Sequence, residues 1–375
     1  MNFTVSSQAL SSRLQAISRV INPKSIYPIL ENFLFRIENG KLTVTAADND
    51  TTLEAVIELN ECDADGQIAL PAKSMVDSLK EIPEQPIRFQ IDTETFSTTI
   101  KYQNGEYNII GQNADEYPPP AVLQEEFTQF GINSQILLDS MSRTIFATAD
   151  DELRPVMNGI YFDINADGAT FVASDGHKLV CSKNSQVQAN GKSSFILPKK
   201  PATLLRSLLS KDGSENVSVE FDSRIARFSM PEFSMVCRLI DGRYPNYVSV
   251  IPQNNPHHLT IDRQAMLNAL RRVSVFSQAA SELIKFKIDR DSVDISAQDI
   301  DFSTSAKESI VCQYDGVPMS IGFKASFLID ILNNTPGQEV IFQLADPSRA
   351  GVIVPAQQNE GESLLMLLMP MVLND

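Results

Sequence analysis

The sequence predicts an α+β fold built from three repeated domains, each with two helices packed on antiparallel sheets. Three observations carry this. The 375 residues are 43% hydrophobic, enough for two or three packed cores. One set of elements recurs three times at matched intervals. The hydrophobic period switches between 3.6 and 2 within each recurrence.

The first recurring element is an extended start leading to a polar cap and an amphipathic helix. It occurs at Phe3-Thr4-Val5 before Gln8, Phe130-Gly131-Ile132 before Gln135, and Leu259-Thr260-Ile261 before Gln264. The second is an alternating strand ending in Asp48, Asp175 and Asp299. The third runs from a short strand into a second helix, at Leu70-Pro71-Ala72-Lys73, Leu197-Pro198-Lys199-Lys200 and Gly322-Phe323-Lys324-Ala325. First element to aspartate spans 45, 45 and 40 residues; aspartate to third element spans 22, 22 and 23. Order and spacing agree where residue identity does not. Tyr117-Pro118-Pro119-Pro120 and the stretch from Tyr244-Pro245-Asn246 to Asn255-Pro256 read as stiff linkers, because consecutive turn formers continue neither a helix nor a central strand. The domains are therefore expected at 1–122, 129–252 and 258–375.

Six helices are expected over 6–20, 72–80, 133–147, 198–211, 262–276 and 324–334. Stripes such as Leu10, Leu14, Ile17 and Ile21 mark one apolar face. These segments hold thirteen basic residues, four aspartates and no glutamate, a balance of +9 against −25 for the rest of the chain. Helix propensity alone favours Glu as much as Lys and Arg. Its absence here points to a shared anionic partner, and a phosphate backbone fits. No recognition-helix or zinc-finger motif offers to read bases, and no aromatic cluster offers to stack single strands.

The sequence lacks the patterns of several chemistries. Asp175-Gly176-His177 lacks an accompanying G-x-S-x-G. Asp163-x-Asn165-x-Asp167-Gly168 opens like an EF-hand loop, but Ser174 stands at position twelve and the flanks are strand-like, so a hairpin turn is expected. There is no phosphate-binding loop of the P-loop type and no dinucleotide fingerprint. Cys62, Cys181, Cys237 and Cys312 form no C-x-x-C pair and read as buried free thiols of a reducing cytoplasm. No catalytic residue, metal site or cofactor is expected. No apolar run reaches the roughly 18 residues of a membrane span, and the start has no signal-peptide pattern. A cytoplasmic location follows.

The whole chain resembles the bacterial DNA polymerase III beta subunit, the sliding clamp. The resemblance is carried by Tyr27-Pro28-Ile29-Leu30-Glu31-Asn32, Asn158-Gly159, Ser174-Asp175-Gly176-His177-Lys178-Leu179, Leu239 to Tyr247, and Leu368-Met369-Pro370-Met371. It implies three clamp-type domains, a ring-forming head-to-tail homodimer that encircles duplex DNA, helices lining the hole, and processivity without catalysis. Implied partners are the polymerase III catalytic subunit, the clamp loader, repair polymerases and mismatch-repair proteins, docking through short linear motifs.

Charge and resemblance together nominate Arg13, Lys73, Lys80, Lys199, Lys200, Arg206, Arg271 and Arg272 for DNA. The resemblance adds Lys24 on a loop near it. It also places Tyr107 on the first-domain side of the ring closure, with Val275 and Phe276 on the third-domain side. For the partner-peptide pocket it implies Met157, Ser174, Gly176, His177, Lys178, Leu179, Pro245, Val250, Gly351, Leu368, Met369, Pro370, Met371 and Leu373. Leu364 to Leu373 is almost wholly apolar and is expected as a final strand burying Leu365, Leu367 and Met369. The family commonly closes with a basic residue and Leu. Here Val372-Leu373-Asn374-Asp375 follows Met371, so the pocket is expected to lack that local positive charge.

Two other readings compete: a monomeric tandem-domain nucleic-acid binder, which sedimentation would reveal, and an enzyme using Asp175 and His177, which His177→Ala would expose.

Overall fold

The computed structural model describes residues 1–187, 191–213 and 215–373. Among the described residues there are six α-helices: α1 (Ser7–Ile17), α2 (Ala72–Leu79), α3 (Ser134–Thr144), α4 (Lys199–Asp212), α5 (Arg263–Val273) and α6 (Ala325–Asn334). Single 3₁₀ turns extend α1, α3 and α5 by three residues each. The starts follow from local chemistry. The Ser6 side chain accepts from Ala9 N–H, and that of Asp262 accepts from Ala265 N–H, each satisfying an orphan donor of the first turn. Each helix buries one stripe: Leu10, Leu14 and Ile17 on α1, and Leu328, Ile331 and Leu332 on α6, are buried.

The chain divides into two compact units. One comprises residues 1–138 and 200–239, the other 139–199 and 240–375. The first unit contains an eight-stranded antiparallel sheet running Thr128–Asn133, Asn216–Phe221, Ile225–Ser229, Phe233–Arg238, Thr51–Glu58, Lys41–Ala47, Asn32–Glu38, Gly66–Pro71. It also holds a five-stranded sheet whose last strand is Gly105–Ile110. The second unit contains a nine-stranded sheet and a four-stranded sheet whose edge is Thr304–Val311.

Sheet continuity explains why the division falls inside the second repeat. In the first unit, Phe233–Arg238 pairs antiparallel with Thr51–Glu58, Val236 opposite Thr52. In the second, Glu362–Leu368 pairs with Lys178–Asn184, Leu367 opposite Leu179. Each half of the middle repeat is thus hydrogen-bonded into a neighbouring repeat.

The three repeat aspartates share one job. Asp48 Oδ1 accepts from the amides of Asp50 and Thr51, Asp175 Oδ1 from His177 and Lys178, and Asp299 Oδ1 from Asp301 and Phe302. Each carboxylate replaces the backbone partners a tight turn would otherwise leave unmet. The EF-hand-like stretch is a hairpin: Asn165 pairs with Gly168, and Asn165 Oδ1 accepts from Asp167 N–H.

Two expectations are corrected. Cys62 is exposed, on the two-residue edge strand Glu61–Cys62, whereas Cys181 is half-buried and Cys237 and Cys312 are buried. The final strand departs from its expected phase in part: Leu367 is buried as expected, Leu365 is half-buried, and the alternate residues are buried as well. Leu364, Met366 and Leu368 join the core beneath α5 and α6, and Met369 is 44% exposed. The run Leu364-Leu365-Met366-Leu367-Leu368 is apolar on both faces because both faces are covered, so no alternation in it marks the inner side.

Candidate functional site

The outer face of the final strand builds the strongest candidate surface. Across the sheet, Ser174 pairs with Leu179, Leu179 with Leu367, and Leu367 with Val352. Leu179, Leu367, Val172 and Ile196 form a small apolar cluster with Tyr244 and Ala350, flanked by half-buried Val156, Tyr161, Tyr247 and Ile251. Tyr161 stacks on Tyr244 at 4.8 Å between ring centroids, and the Tyr247 hydroxyl donates to Asp163 Oδ2 at 3.1 Å. The segment after Tyr244 stays at the surface: Pro245 is exposed and Val250 is 57% exposed.

A rigid loop borders this cluster. Asp175 Oδ2 receives a 2.6 Å hydrogen bond from Lys178 Nζ. Burial pushes the Asp175 carboxyl up. The Lys178 ammonium and the amides of Lys178 and His177 outweigh burial and hold it below the usual carboxylate range. Lys178 is buried, its Nζ 4.1 Å from the centre of the Phe327 ring on α6. The His177 ring lies 6.0 Å from the same ring. Gly176 takes φ +92°, a conformation that favours glycine, and a Cβ there would meet only the movable end of the Arg154 side chain, at 2.9 Å from Nη1. Arg154 is fixed by Asp151 Oδ2 at 2.8 Å. Beyond Leu368 the chain continues as a ledge: Met369 N–H donates to His177 O at 2.9 Å and Met371 N–H to Gly322 O at 2.8 Å.

The expected pocket residues therefore divide. Met157, Ser174, Gly176, His177, Leu179, Pro245, Val250 and Met369 belong to this face or its border. Lys178 points inward to Asp175 and Phe327. Gly351 and Leu368 pair with one another on the side facing the core of Phe323 and Leu344. Leu373 packs beside Gly322 and lines a separate cleft with Leu283 and Ile300, while Asn374 and Asp375 lie outside the described residues. Sequence reasoning missed Tyr161, Tyr244, Leu367 and Arg154. Tyr244 stood within the quoted Leu239–Tyr247 motif; Leu367 was expected to be buried, as it is, but not as part of this cluster.

The helices with their 3₁₀ extensions carry eleven basic residues and four aspartates, +7 against −23 for the remaining chain. Lys24, Lys73 and Lys199 are exposed. Arg206 is half-buried on α4. Lys80 pairs with Asp77 at 3.3 Å, and Lys200 meets Asp48 and the Val20 carbonyl. Arg13 binds Glu232 and lies 5.1 Å over the Phe233 ring. Arg271 donates to Asn333 at 3.0 Å. Arg272 is held bidentate by Glu308, two bonds of 2.8 Å. The exposed Lys80–Asp77 pair contributes about 0–1 kcal/mol, so Lys80 can exchange partners cheaply.

Two edges complete the geometry. Tyr107 is half-buried on the edge strand Gly105–Ile110, its ring 5.1 Å from Tyr102. The edge Thr304–Val311 has no buried residue. In its unit Val275 is 77%, Phe276 39% and Phe302 79% exposed.

A chain of repeated α+β domains with basic helices has the architecture of a three-domain clamp that acts on DNA. Family models agree along its length: residues 1–122 match the N-terminal, 131–246 the central and 248–371 the C-terminal domain of DNA polymerase III beta subunit. The beta sliding clamp of Pseudomonas aeruginosa is 26% identical, with 98% of this chain and 99% of the relative covered; that of Caulobacter vibrioides is 27% identical over 94% and 96%. The structure superposes on the P. aeruginosa clamp bound to griselimycin with TM-score 0.93 and 26% identity, and on the Bartonella birtlesii clamp, also bound to griselimycin, with TM-score 0.89 and 26% identity; both cover 100% of each chain. The chain belongs to the DNA polymerase III beta subunit family. It is a DNA sliding clamp of replication, a processivity factor and not an enzyme.

Proposed function

We propose that this clamp works as a cytoplasmic head-to-tail homodimer of domains 1–122, 129–252 and 258–375. It encircles duplex DNA without sequence preference and offers partners an apolar docking face beside the final strand. The observation that carries the reading is the charge split, +7 on the helices and −23 elsewhere. Phosphates are neutralised by Lys and Arg regardless of sequence, while an acidic remainder disfavours DNA anywhere else. Lys24, Lys73 and Arg206 are the readiest contacts, and exposed Lys199 stands with Arg206 on α4. Lys80, Lys200 and Arg271 follow after exchanging a neighbour. Arg13 and Arg272 serve chiefly their own chain.

Closure joins the first domain of one copy to the third of the next. Gly105–Ile110 and Thr304–Val311 each present unpaired backbone donors and acceptors, and a strand edge is satisfied by another edge. Val275 and Phe276 then fill the corner near Tyr107. A heterologous interface of this kind closes when its rotation does.

The docking face suits a short linear segment with a Gln and one or two bulky apolar residues, carried by the polymerase III catalytic subunit, the clamp loader, repair polymerases and mismatch-repair proteins. Leu179 and Leu367 give the floor, stacked Tyr161 and Tyr244 support one side, and Met369 is an adaptable lip. The decisive experiment loads the purified dimer on closed circular DNA. Retention that ends when the circle is linearised is expected; release at equal rates from both forms refutes encirclement.

A further inference from the structure

The Tyr27–Asn32 motif and the cleft it lines have no part in the functions above. Their place in the repeat gives them one. A shift of 127 residues carries Asp48 onto Asp175, Tyr117 onto Tyr244, and Pro28-Ile29-Leu30 onto Pro155-Val156-Met157. The structure keeps these equivalences. Both Pro segments are 3₁₀ turns with proline at the first positions. Tyr117 and Tyr244 each bury a hydroxyl against the backbone of the residue before the turn aspartate, Ala47 and Ser174, without a well-aligned hydrogen bond. Val236 pairs with Thr52 as Leu367 pairs with Leu179.

The first junction, wholly inside the first unit, thus has the parts of the docking face at the second. It is a cleft of about 780 Å³ with Tyr27, Leu30, Ala47, Pro118 and Val236 in its lining. At its mouth Ile26 is 78% and Tyr27 56% exposed. Isolated apolar side chains at a surface need no account, but two of them over a preformed apolar cleft do.

The differences between the two junctions set the occupant. Tyr27 stands where the second junction has Arg154, and Thr52 stands where it has Leu179. Asp48 is neutralised by Lys200. Exposed Asp50 and Glu116 remain at the rim with a single guanidinium, Arg238, whose 3.4 Å contact to Asp50 is fully at the surface. The rim is therefore acidic over a floor less apolar than its counterpart.

We propose that the first junction is a second peptide-docking site, taking a short linear segment in which one large apolar side chain is followed by Arg or Lys. The apolar side chain fills the space between Tyr27, Leu30 and Val236, and the cation meets Asp50 and Glu116. One ring then offers two kinds of site, one selecting basic and the other neutral motifs, so their partners bind without competing. The proposal rests on reading the second junction as a docking face.

The test uses the full-length dimer with isoleucine and methionine methyl labels. The first probe is a fluorescein-labelled nonapeptide with one Phe, one Leu and two Arg; the second is a neutral nonapeptide with one Gln, one Leu and one Phe. The first is expected to shift Ile26 and Ile29 saturably, and Asp50→Lys with Glu116→Lys to weaken it at least tenfold. The second is expected to shift Met157 and Met369 and to be unaffected by that variant. All four positions altered or watched at the rim are exposed or at its edge, and Tyr27→Ala provides a neutral check on the same site. If the first probe moves only Met157 and Met369, moves no methyl, or binds the double variant unchanged, the first junction is not a docking site. If the second probe fails to move Met157 and Met369, the reading of the second junction fails, whatever happens at Ile26.

Discussion

Phe276 and Val275 give the sharpest test of ring closure. They follow α5 on a single 3₁₀ turn, with Phe276 39% and Val275 77% exposed in the single chain. A Phe buries about 200 Å², so covering the remaining 39% removes about 80 Å² from water, or about 2 kcal/mol at ~25 cal/mol per Å². Covering most of a Val adds about 1.5 kcal/mol. A head-to-tail ring has this contact twice, so Val275→Ser with Phe276→Ala removes about 7 kcal/mol from dimerisation, roughly five powers of ten in Kd. Sedimentation equilibrium or mass photometry over nanomolar to micromolar protein is the assay, with thermal melting in parallel. Folded monomers are expected. A double variant that stays dimeric at nanomolar concentration refutes the interface. A dimer with a sharply lowered Tm shows instead that the two residues cap their own domain, because 61% of Phe276 is already covered within its chain.

Other perturbations have equally definite outcomes. Lys73→Ala should lower the magnitude of the log–log salt slope for DNA by about 1, and Lys199→Ala with Lys200→Ala by between one and two; Arg272→Ala, whose guanidinium is occupied by Glu308, should leave it nearly unchanged. Deleting 369–375 removes the hydrogen bonds from Met369 to His177 and from Met371 to Gly322, about 1 kcal/mol each, while Leu368 stays in the core; peptide binding should vanish with the dimer intact and the melt only slightly lowered. Asp175→Asn strands the buried Lys178 ammonium and should cost about 2–3 kcal/mol, seen in denaturant midpoints. Because the folded Asp175 carboxyl lies below its ordinary value, its stabilisation is present above about pH 4 and drains away as pH falls through the lowered value; wild type but not Asp175→Asn should show this acid slope.

Repeat spacing made much of the architecture legible. The six expected helices fall within a residue or two of the observed ones once the 3₁₀ extensions are counted, because polar caps and apolar stripes are local signals. What failed was non-local. Strand phase in Leu364–Leu368 depends on what covers each face: Leu364, Met366 and Leu368 meet the core shared with α5 and α6, and Leu367 meets the cluster around Tyr244. Lys178 reads as a surface cation and is buried because Asp175 and Phe327 converge on it from different elements. Arg13 reads as a phosphate contact, yet Glu232 and Phe233 reach it across about 220 residues of chain. The strands Gly105–Ile110 and Thr304–Val311 carry no composition that marks them as edges; only sheet order shows which strands end a sheet.

The buried Lys178 also bears on how partner docking connects to DNA. Its ammonium lies between the turn carboxylate of Asp175 and Phe327 on α6, and Asp330 on the same helix has its carboxyl pushed up by burial nearby. His177, one residue away, supplies the carbonyl that receives Met369 N–H. The proposed docking face and α6 therefore share one buried charge. A ligand that displaced Met369 would act first on the His177 carbonyl and the loop holding Lys178. The equivalent turn at Asp48 is neutralised by Lys200, which comes from α4 instead of from the turn itself, so the two junctions are stiffened from different directions. The loop at the second junction is the more tightly held: Asp48 and Asp175 are covered alike, at 15% and 16% side-chain exposure, but the Lys178 side chain is 6% exposed where that of Lys200 is 50%, so Lys200 is the one readily released to water. Methyl relaxation at Met369 should accordingly change little on peptide binding in wild type and strongly in Lys178→Met.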